Sequence, residues 1–290
     1  MLEAIESGLV MGSIYALLAL AINIIYSTTG IINFAHAELV MLGAMFSLAI
    51  IVNSGAPIIP GLIIACALVG VVALVLYYAT IKPFGDRLGN SLGWLMTTLG
   101  AGIIFKNIAQ LIWGTQPRAF PSIGGESLKT VLGIKILPHD LWVLVITLAI
   151  ALFIMALFDK TVLGSAIRAT AHSHNTTRLM GISAEKIILV CFLMSGIVAG
   201  IAGNLIAPIT FAGAQMTSTI GLKGFGAAII GGIGNSKGAF VGGLLLGILE
   251  AVSMLYVTPG YKDAIAFFIM IAVISIKPGG IFGVAYETKV

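Results

Sequence analysis

Charge is what this sequence has least of. Asp, Glu, Lys and Arg make up 9% of its 290 residues, against roughly 25% in a soluble domain. So few charges cannot cover the surface of a water-soluble fold of this length, so lipid must act as solvent for much of it. Cysteine is also scarce: the two present, Cys66 and Cys191, both lie in apolar runs and read as small packing residues, not as a disulfide or a metal pair. No run of Lys or Arg with interleaved aromatics occurs, which excludes a nucleic-acid surface. The N-terminus has no basic region; Glu3 and Glu6 precede the first apolar run, which therefore reads as a retained span and not a cleaved signal peptide. Catalytic signatures are missing as well. There is no HExxH, CxxC or GxSxG, and Gly232–Gly238 (GIGNSKG) lacks the residue order of a phosphate loop, because Ser236 precedes Lys237. The chain thus offers no enzymatic centre, no ATP site of its own, no metal site and no cofactor site.

What is abundant is apolar and small. Hydrophobic residues reach 59%, with 36 glycines, and mean hydropathy is +1.12. Apolar segments fall at Ser7–Tyr26, Ile31–Val52, Pro60–Ile81, Leu92–Trp113, Leu141–Phe158, Glu185–Ala207, Gly221–Ile233, Gly238–Val257 and Ala264–Ile276. A span needs about 20 apolar residues. Most segments qualify, but Gly221–Ile233 and Ala264–Ile276 are short, and the first reads as a broken or re-entrant element. The expected fold is all-α: a polytopic transmembrane helical protein of roughly eight or nine spans in one domain, residues 1–290. Gly196 and Gly200, with Gly203 following, and Gly234, Gly238 and Gly242 read as small-residue seams where helix backbones touch.

Three polar stretches interrupt this pattern. Lys82–Ser91 and Asp159–Ala184 are basic and separated by two spans, so both fit the cytoplasmic side; Gly114–Asp140 then falls outside, although it also carries Arg118, Lys129 and Lys135. On the same topology the Asn175-Thr176-Thr177 sequon is cytoplasmic. Within Asp159–Ala184, Gly164–Ile182 reads as a short helix followed by a Gly181 stop. It is either a docking element for a cytoplasmic partner or an ordinary solvated loop.

Polar groups at membrane depth mark the candidate pathway. Asn33, His36 and Glu38 open the second segment. On a helix Asn33 and His36 share a face, while Glu38 points about 160° from His36. They line a substrate path or sit wet at the interface. Thr97 and Thr98 are weaker candidates, since each hydroxyl can bond its own helix. Lys106 lines a pore, pairs with an acid or snorkels to the surface. Glu250, deep in its segment, is expected to be paired or protonated.

Taken in order, the motifs resemble the membrane permease subunit of bacterial branched-chain amino acid ABC importers. Gly12-Ser13-Ile14-Tyr15-Ala16-Leu17 resembles the family's opening. Gly30–Glu38 resembles its I-N-F-A-H-G-E signature, with Ala37 in place of Gly. Arg168-Ala169 with Gly181-Ile182 looks like its ATPase-coupling segment, although His172, Ser173 and His174 between them depart from the pattern. Lys223–Glu250 resembles its K-x-F-x-A-A-x-x-G-G-I-G block, and Lys277–Gly283 its closing turn. The resemblance implies a multi-pass protein of the bacterial cytoplasmic membrane and a second permease subunit. It also implies two cytoplasmic ATP-binding subunits and an extracytoplasmic binding protein that delivers substrate. Gly164, Arg168, Ala169, Arg178 and Gly181 then become candidates for ATPase coupling, within a cytoplasmic loop at about 159–184. The implied activity is import of branched-chain or other hydrophobic amino acids by alternating access. Rivals are a relative of the same family carrying urea or short amides, an ion-coupled carrier or channel titrating Glu250 or Lys106, and an intramembrane enzyme using His36 and Glu38.

Overall fold

The computed structural model describes residues 1–84, 92–125, 127, 129–131, 134–173, 177 and 179–283. Among them it shows ten α-helices: α1 (Leu2–Thr29), α2 (His36–Leu48), α3 (Ile58–Leu76), α4 (Gly93–Trp113), α5 (Pro138–Lys160), α6 (Val162–His172), α7 (Ala184–Thr210), α8 (Thr217–Gly231), α9 (Ser236–Ser253) and α10 (Lys262–Ile276). The all-α class holds. One short antiparallel hairpin, β1 (Lys129–Val131) with β2 (Ile134–Ile136), lies in the long polar stretch after α4. Alternation of Ile134 and Ile136 about Lys135 is a two-residue period, too brief to stand out in a chain this apolar.

Among the described residues, seven helices are long and apolar enough to cross a membrane: Glu3–Thr29, His36–Asn53, Ile58–Phe84, Gly93–Trp113, Pro138–Lys160, Ala184–Thr210 and Ser236–Ser253. The protein is thus a multi-pass membrane protein. Both α2 and α3 gain their full length by ending in a π turn, at Ala49–Asn53 and Tyr77–Ile81. The two segments that looked short in sequence are helices of 15 residues each, α8 and α10. At 1.5 Å per residue that is about 22 Å, less than the roughly 30 Å hydrocarbon layer.

The chain divides into two compact units. The first comprises Met1–Asn23, Pro121–Ile154 and Leu222–Val290. Here α9 lies directly on α1. A Cβ added to Gly8 would come within 2.9 Å of the Ala251 Cβ, and one added to Gly12 within 3.0 Å of the Gly243 carbonyl. Without side chains at these crossings, backbones supply the van der Waals contact that apolar burial cannot supply in lipid. Next, α8 and α9 form a hairpin in which Gly238 and Gly242 meet Gly231 and Ala227. Asn235 caps α9, its Oδ1 accepting from the Lys237 and Gly238 amides at 3.0 and 3.1 Å. The tail closes over this turn: the Ile281 and Phe282 amides donate to Ile230 and Gly231 carbonyls at 2.8 and 3.0 Å.

The second unit comprises Ile24–Phe120 and Met155–Gly221. Its centre is α7 packed against α2 and α3. Gly203 abuts the Val40 carbonyl, Gly43 abuts Gly200, and Gly196 abuts Val69 and Ala73. Asn204 ties all three helices: its Oδ1 accepts from Ser47, and its Nδ2 donates to Leu62 O and Cys66 Sγ at 3.4 and 3.2 Å. Ile25, Ile31, Tyr77, Ile81, Ile188 and Phe192 form an apolar cluster in this unit. The residues after α4 return along the end of α7, where Arg118 and Ala212 exchange backbone hydrogen bonds of 2.8 and 2.9 Å. On the lipid-ready side, α3 and α4 expose Ile63, Val71, Val75, Ile103 and Leu111.

Candidate functional site

Unit 2 gathers its polar groups at the start of α2. The Asn33 Oδ1 accepts from the Ala35 amide at 3.0 Å, and the Asn33 carbonyl accepts from the His36 amide at 3.2 Å. This closes the turn that launches the helix. Asn33 and His36 are buried, and the Asn33 Nδ2 and both His36 ring nitrogens have no hydrogen-bond partner. An unsatisfied buried polar group costs about 1–3 kcal/mol. Native folds keep few of them, so this turn holds unspent hydrogen-bonding capacity.

On a different face of the turn, Glu38 meets α4 and the first turn of α8. Its Oε2 accepts from Thr217 Oγ1 at 3.4 Å. Gly102 of α4 faces this turn, at ordinary van der Waals distance from Ala35 and Glu38. One turn along α4, Lys106 Nζ reaches Ser218 Oγ at 3.2 Å, next in sequence to the Thr217 that bonds Glu38. The two do not form a direct ion pair among the described residues. Adjacent hydroxyls on α8 hold one each.

Thr97 and Thr98 are brought near none of these groups by hydrogen bonding. The Thr97 hydroxyl lies within 3.1 Å of the Thr80, Gly93 and Trp94 carbonyls, and Thr98 donates within its own helix to Trp94 O at 2.9 Å. Their donors serve backbone carbonyls, which fits the packing alternative noted in the sequence.

The stretch at 159–184 contains α6. It starts earlier than the sequence implied, because Thr161 caps it by accepting from the Gly164 amide at 3.1 Å, and it ends at His172. Gly164 sits against the Leu157 and Phe158 carbonyls, where no side chain fits. Arg168 turns back on the same elbow: Nη1 donates to Phe158 O and Nη2 to Ser165 Oγ at 3.3 Å. A guanidinium there also meets the negative end of α5. Ala169 is half-buried on α6, and Gly181 takes a φ of +80° in the turn before α7. Arg178 lies outside the described residues. Exposed apolar side chains flank α6: Val162, Leu179 and Met180.

Unit 1 holds a polar cluster of its own. Lys223 Nζ contacts Glu250 Oε1 at 2.9 Å and Asp263 Oδ1 at 2.6 Å; Lys262 Nζ contacts the same Glu250 oxygen at 3.1 Å. Tyr15 donates to Glu250 Oε2 at 3.0 Å. Glu250 is therefore paired, one of the two states expected of it. Lys223 is the partner that sequence reasoning missed. Its signal was present: one lone cation and one lone anion in adjacent apolar segments. Asn23 is a second omission. It brackets the α8–α9 turn, accepting from the Gly234 amide at 2.8 Å and donating to Asn235 O at 3.3 Å. Gly234 serves that turn with a φ of +90°, whereas Gly196, Gly200, Gly238 and Gly242 sit at the backbone crossings.

Together, seven membrane-length helices among the described residues and glycine-mediated crossings define a polytopic helical membrane protein. The family is fixed by comparison. The chain belongs to the family described as the branched-chain amino acid transport system permease component, whose family model matches residues 4–274. It is thus the permease subunit of an ABC importer of that family. It is 32% identical to the high-affinity branched-chain amino acid transport system permease protein LivH of Escherichia coli (strain K12), covering 97% of this chain and 95% of that one. It is 30% identical to the corresponding permease protein BraD of Pseudomonas aeruginosa, with the same coverage. A probable branched-chain amino acid transport permease protein LivH of Methanocaldococcus jannaschii is 28% identical over 98% of this chain and 93% of that one.

Proposed function

We propose that this chain imports branched-chain or other hydrophobic amino acids across the cytoplasmic membrane of a bacterium by alternating access. It works with a second permease subunit, identical or paralogous, two cytoplasmic ATP-binding subunits and an extracytoplasmic binding protein. ATP hydrolysis belongs to the partners. The observation that carries the substrate class is the near full-length match to relatives whose names state branched-chain amino acid transport. More distant relatives that cover 62% of this chain are named for autoinducer 2 and L-arabinose, so the wider group moves other solutes.

The stretch Gly164–Ile182 is the coupling element in this reading. Thr161, Gly164 and Arg168 set the angle of α6 against the end of α5, and Val162, Leu179 and Met180 offer apolar anchors for the ATPase surface. Rigid transmission through such an elbow converts closure of the ATPases into rocking of the helices, which opens the pathway on one side at a time. Asn33, His36 and Glu38 are its polar contacts.

The test is gentle purification of the chain from its native membrane, followed by reconstitution of whatever accompanies it. Co-purifying ATPases and a second permease, with ATP-dependent leucine uptake in proteoliposomes given the binding protein, support the reading. A chain that comes alone and transports without ATP refutes it.

A further inference from the structure

We infer that Glu38 and Lys106 form the receptor for the charged head of the transported amino acid, Glu38 for its ammonium and Lys106 for its carboxylate. This rests on the substrate class given under Proposed function.

An α-amino acid at neutral pH is a zwitterion. Carrying both charges bare through hydrocarbon is prohibitive, and a path that is apolar throughout cannot conduct it. Groups that accept from the ammonium and donate to the carboxylate must meet it, close together, and the strongest such contacts come from a charge of each sign not already spent on a protein partner. Most charges in this chain fail that requirement. Lys223, Glu250, Asp263 and Lys262 are already mutually satisfied, and Lys82 is closed on Glu185 at 2.8 Å. Arg168 is committed to the α5–α6 elbow.

Glu38 and Lys106 alone meet the requirement among the described membrane-depth charges of unit 2. They are opposite in sign and bond adjacent residues of α8, yet they form no ion pair with each other. Each has one side-chain hydrogen bond, Glu38 with Thr217 and Lys106 with Ser218. A carboxylate has about four acceptor positions and an ammonium three donors, so most of their capacity is unspent. A separated pair of this kind presents a dipole opposed to that of a zwitterion, and each end gives a charge-assisted bond. Both side chains are half-buried, which lowers the local dielectric and strengthens such bonds without sealing the site. His36 points away from Glu38, so it takes no part in the head-group contact.

The experiment compares ATP-driven leucine uptake by the complete reconstituted complex carrying wild-type chain, Glu38→Gln, Lys106→Met or the charge exchange Glu38→Lys with Lys106→Glu. Recovery of the intact complex is measured alongside. Each single variant is expected to lower uptake at least tenfold, and the exchange is expected not to restore it, because the reversed dipole would turn the amino acid's side chain the wrong way. Uptake within twofold of wild type in both single variants overturns the inference. So does an exchange that returns uptake to wild type, since the pair would then be a structural tie, and so does failure of both single variants to assemble. A wild-type complex that hydrolyses ATP but moves no amino acid sinks the substrate class instead, and so separates the two failures.

Discussion

Replacing Lys223 by Met removes the central cation of the unit 1 network and leaves its neighbours unequally exposed. Glu250 is 1% exposed in its side chain and keeps Lys262 at 3.1 Å and the Tyr15 hydroxyl at 3.0 Å. Asp263 is 52% exposed and can turn to solvent. The cost therefore arises almost wholly at Glu250, a nearly enclosed carboxylate that loses its closest cation. Breaking a buried pair from one side costs about 3–5 kcal/mol; with Lys262 and Tyr15 retained, about 3 kcal/mol is expected. Glu250→Leu should cost a similar amount, because it leaves the Tyr15 hydroxyl without its acceptor and Lys223 with Asp263 alone. Asp263→Asn should cost under about 1 kcal/mol, since its partner contact is largely solvated. Removing both buried charges, Lys223→Met with Glu250→Leu, takes away the attraction and the desolvation penalty together. It should cost about as much as either single change, about 3 kcal/mol where simple addition gives about 6, a coupling of about 3 kcal/mol in a double-mutant cycle. The assay is reversible unfolding of the purified permease in mixed micelles, with each variant measured in the same detergent. A coupling below about 0.5 kcal/mol, or an Asp263→Asn effect as large as that of Lys223→Met, would refute the idea that burial decides which member of the network matters.

Four other changes follow the same logic. Asn204→Ala strips the tie among α2, α3 and α7 and leaves the Ser47 hydroxyl without its acceptor, so a loss of about 1–3 kcal/mol is expected in the same unfolding assay. Gly243→Leu places a side chain against the Ala16 backbone; overpacking of about 1–3 kcal/mol or more should lower the yield of folded protein, read by size-exclusion chromatography. In the coupling stretch, Val162→Ser with Leu179→Ser should reduce retention of the ATPase subunits during purification without shifting the permease's own melting temperature, because both side chains are exposed. Arg168→Ala should shift that melting temperature, since its guanidinium is spent on the Phe158 carbonyl.

Much of the architecture is legible in the residues. Long apolar runs specify spans because no other secondary structure satisfies its own backbone in lipid, and even the two short helices were visible as short. Caps were harder to see. Thr161 and Asn235 each start a helix through one side-chain oxygen, and one Thr or Asn in a polar stretch carries little signal. Partner choice was harder still. Glu250 was expected to be paired, but Lys223 lies 27 positions away in sequence, and only the α8–α9 hairpin makes them neighbours. The same limit applies to Lys106. Its alternatives of pore, pair or snorkel depend on α8 delivering Ser218 to it, a contact across 112 positions that no local pattern encodes.

The two sets of charges in this chain answer different physical demands. In the Lys223–Glu250 network two cations and two anions balance, a tyrosine fills the remaining carboxylate oxygen, and the acid at its centre is almost sealed. A closed set of this kind gains nothing from a further ligand, because any guest would have to displace a bond already made in low dielectric. Glu38 and Lys106 have one hydroxyl contact each, partial exposure and no mutual bond. Without a mutual bond, each keeps the partial desolvation cost of a half-buried charge that a direct salt bridge would offset. A dipolar solute passing that point recovers the cost on arrival and returns it on departure. This suits a transport pathway, where binding must be strong enough to admit the solute and weak enough to release it.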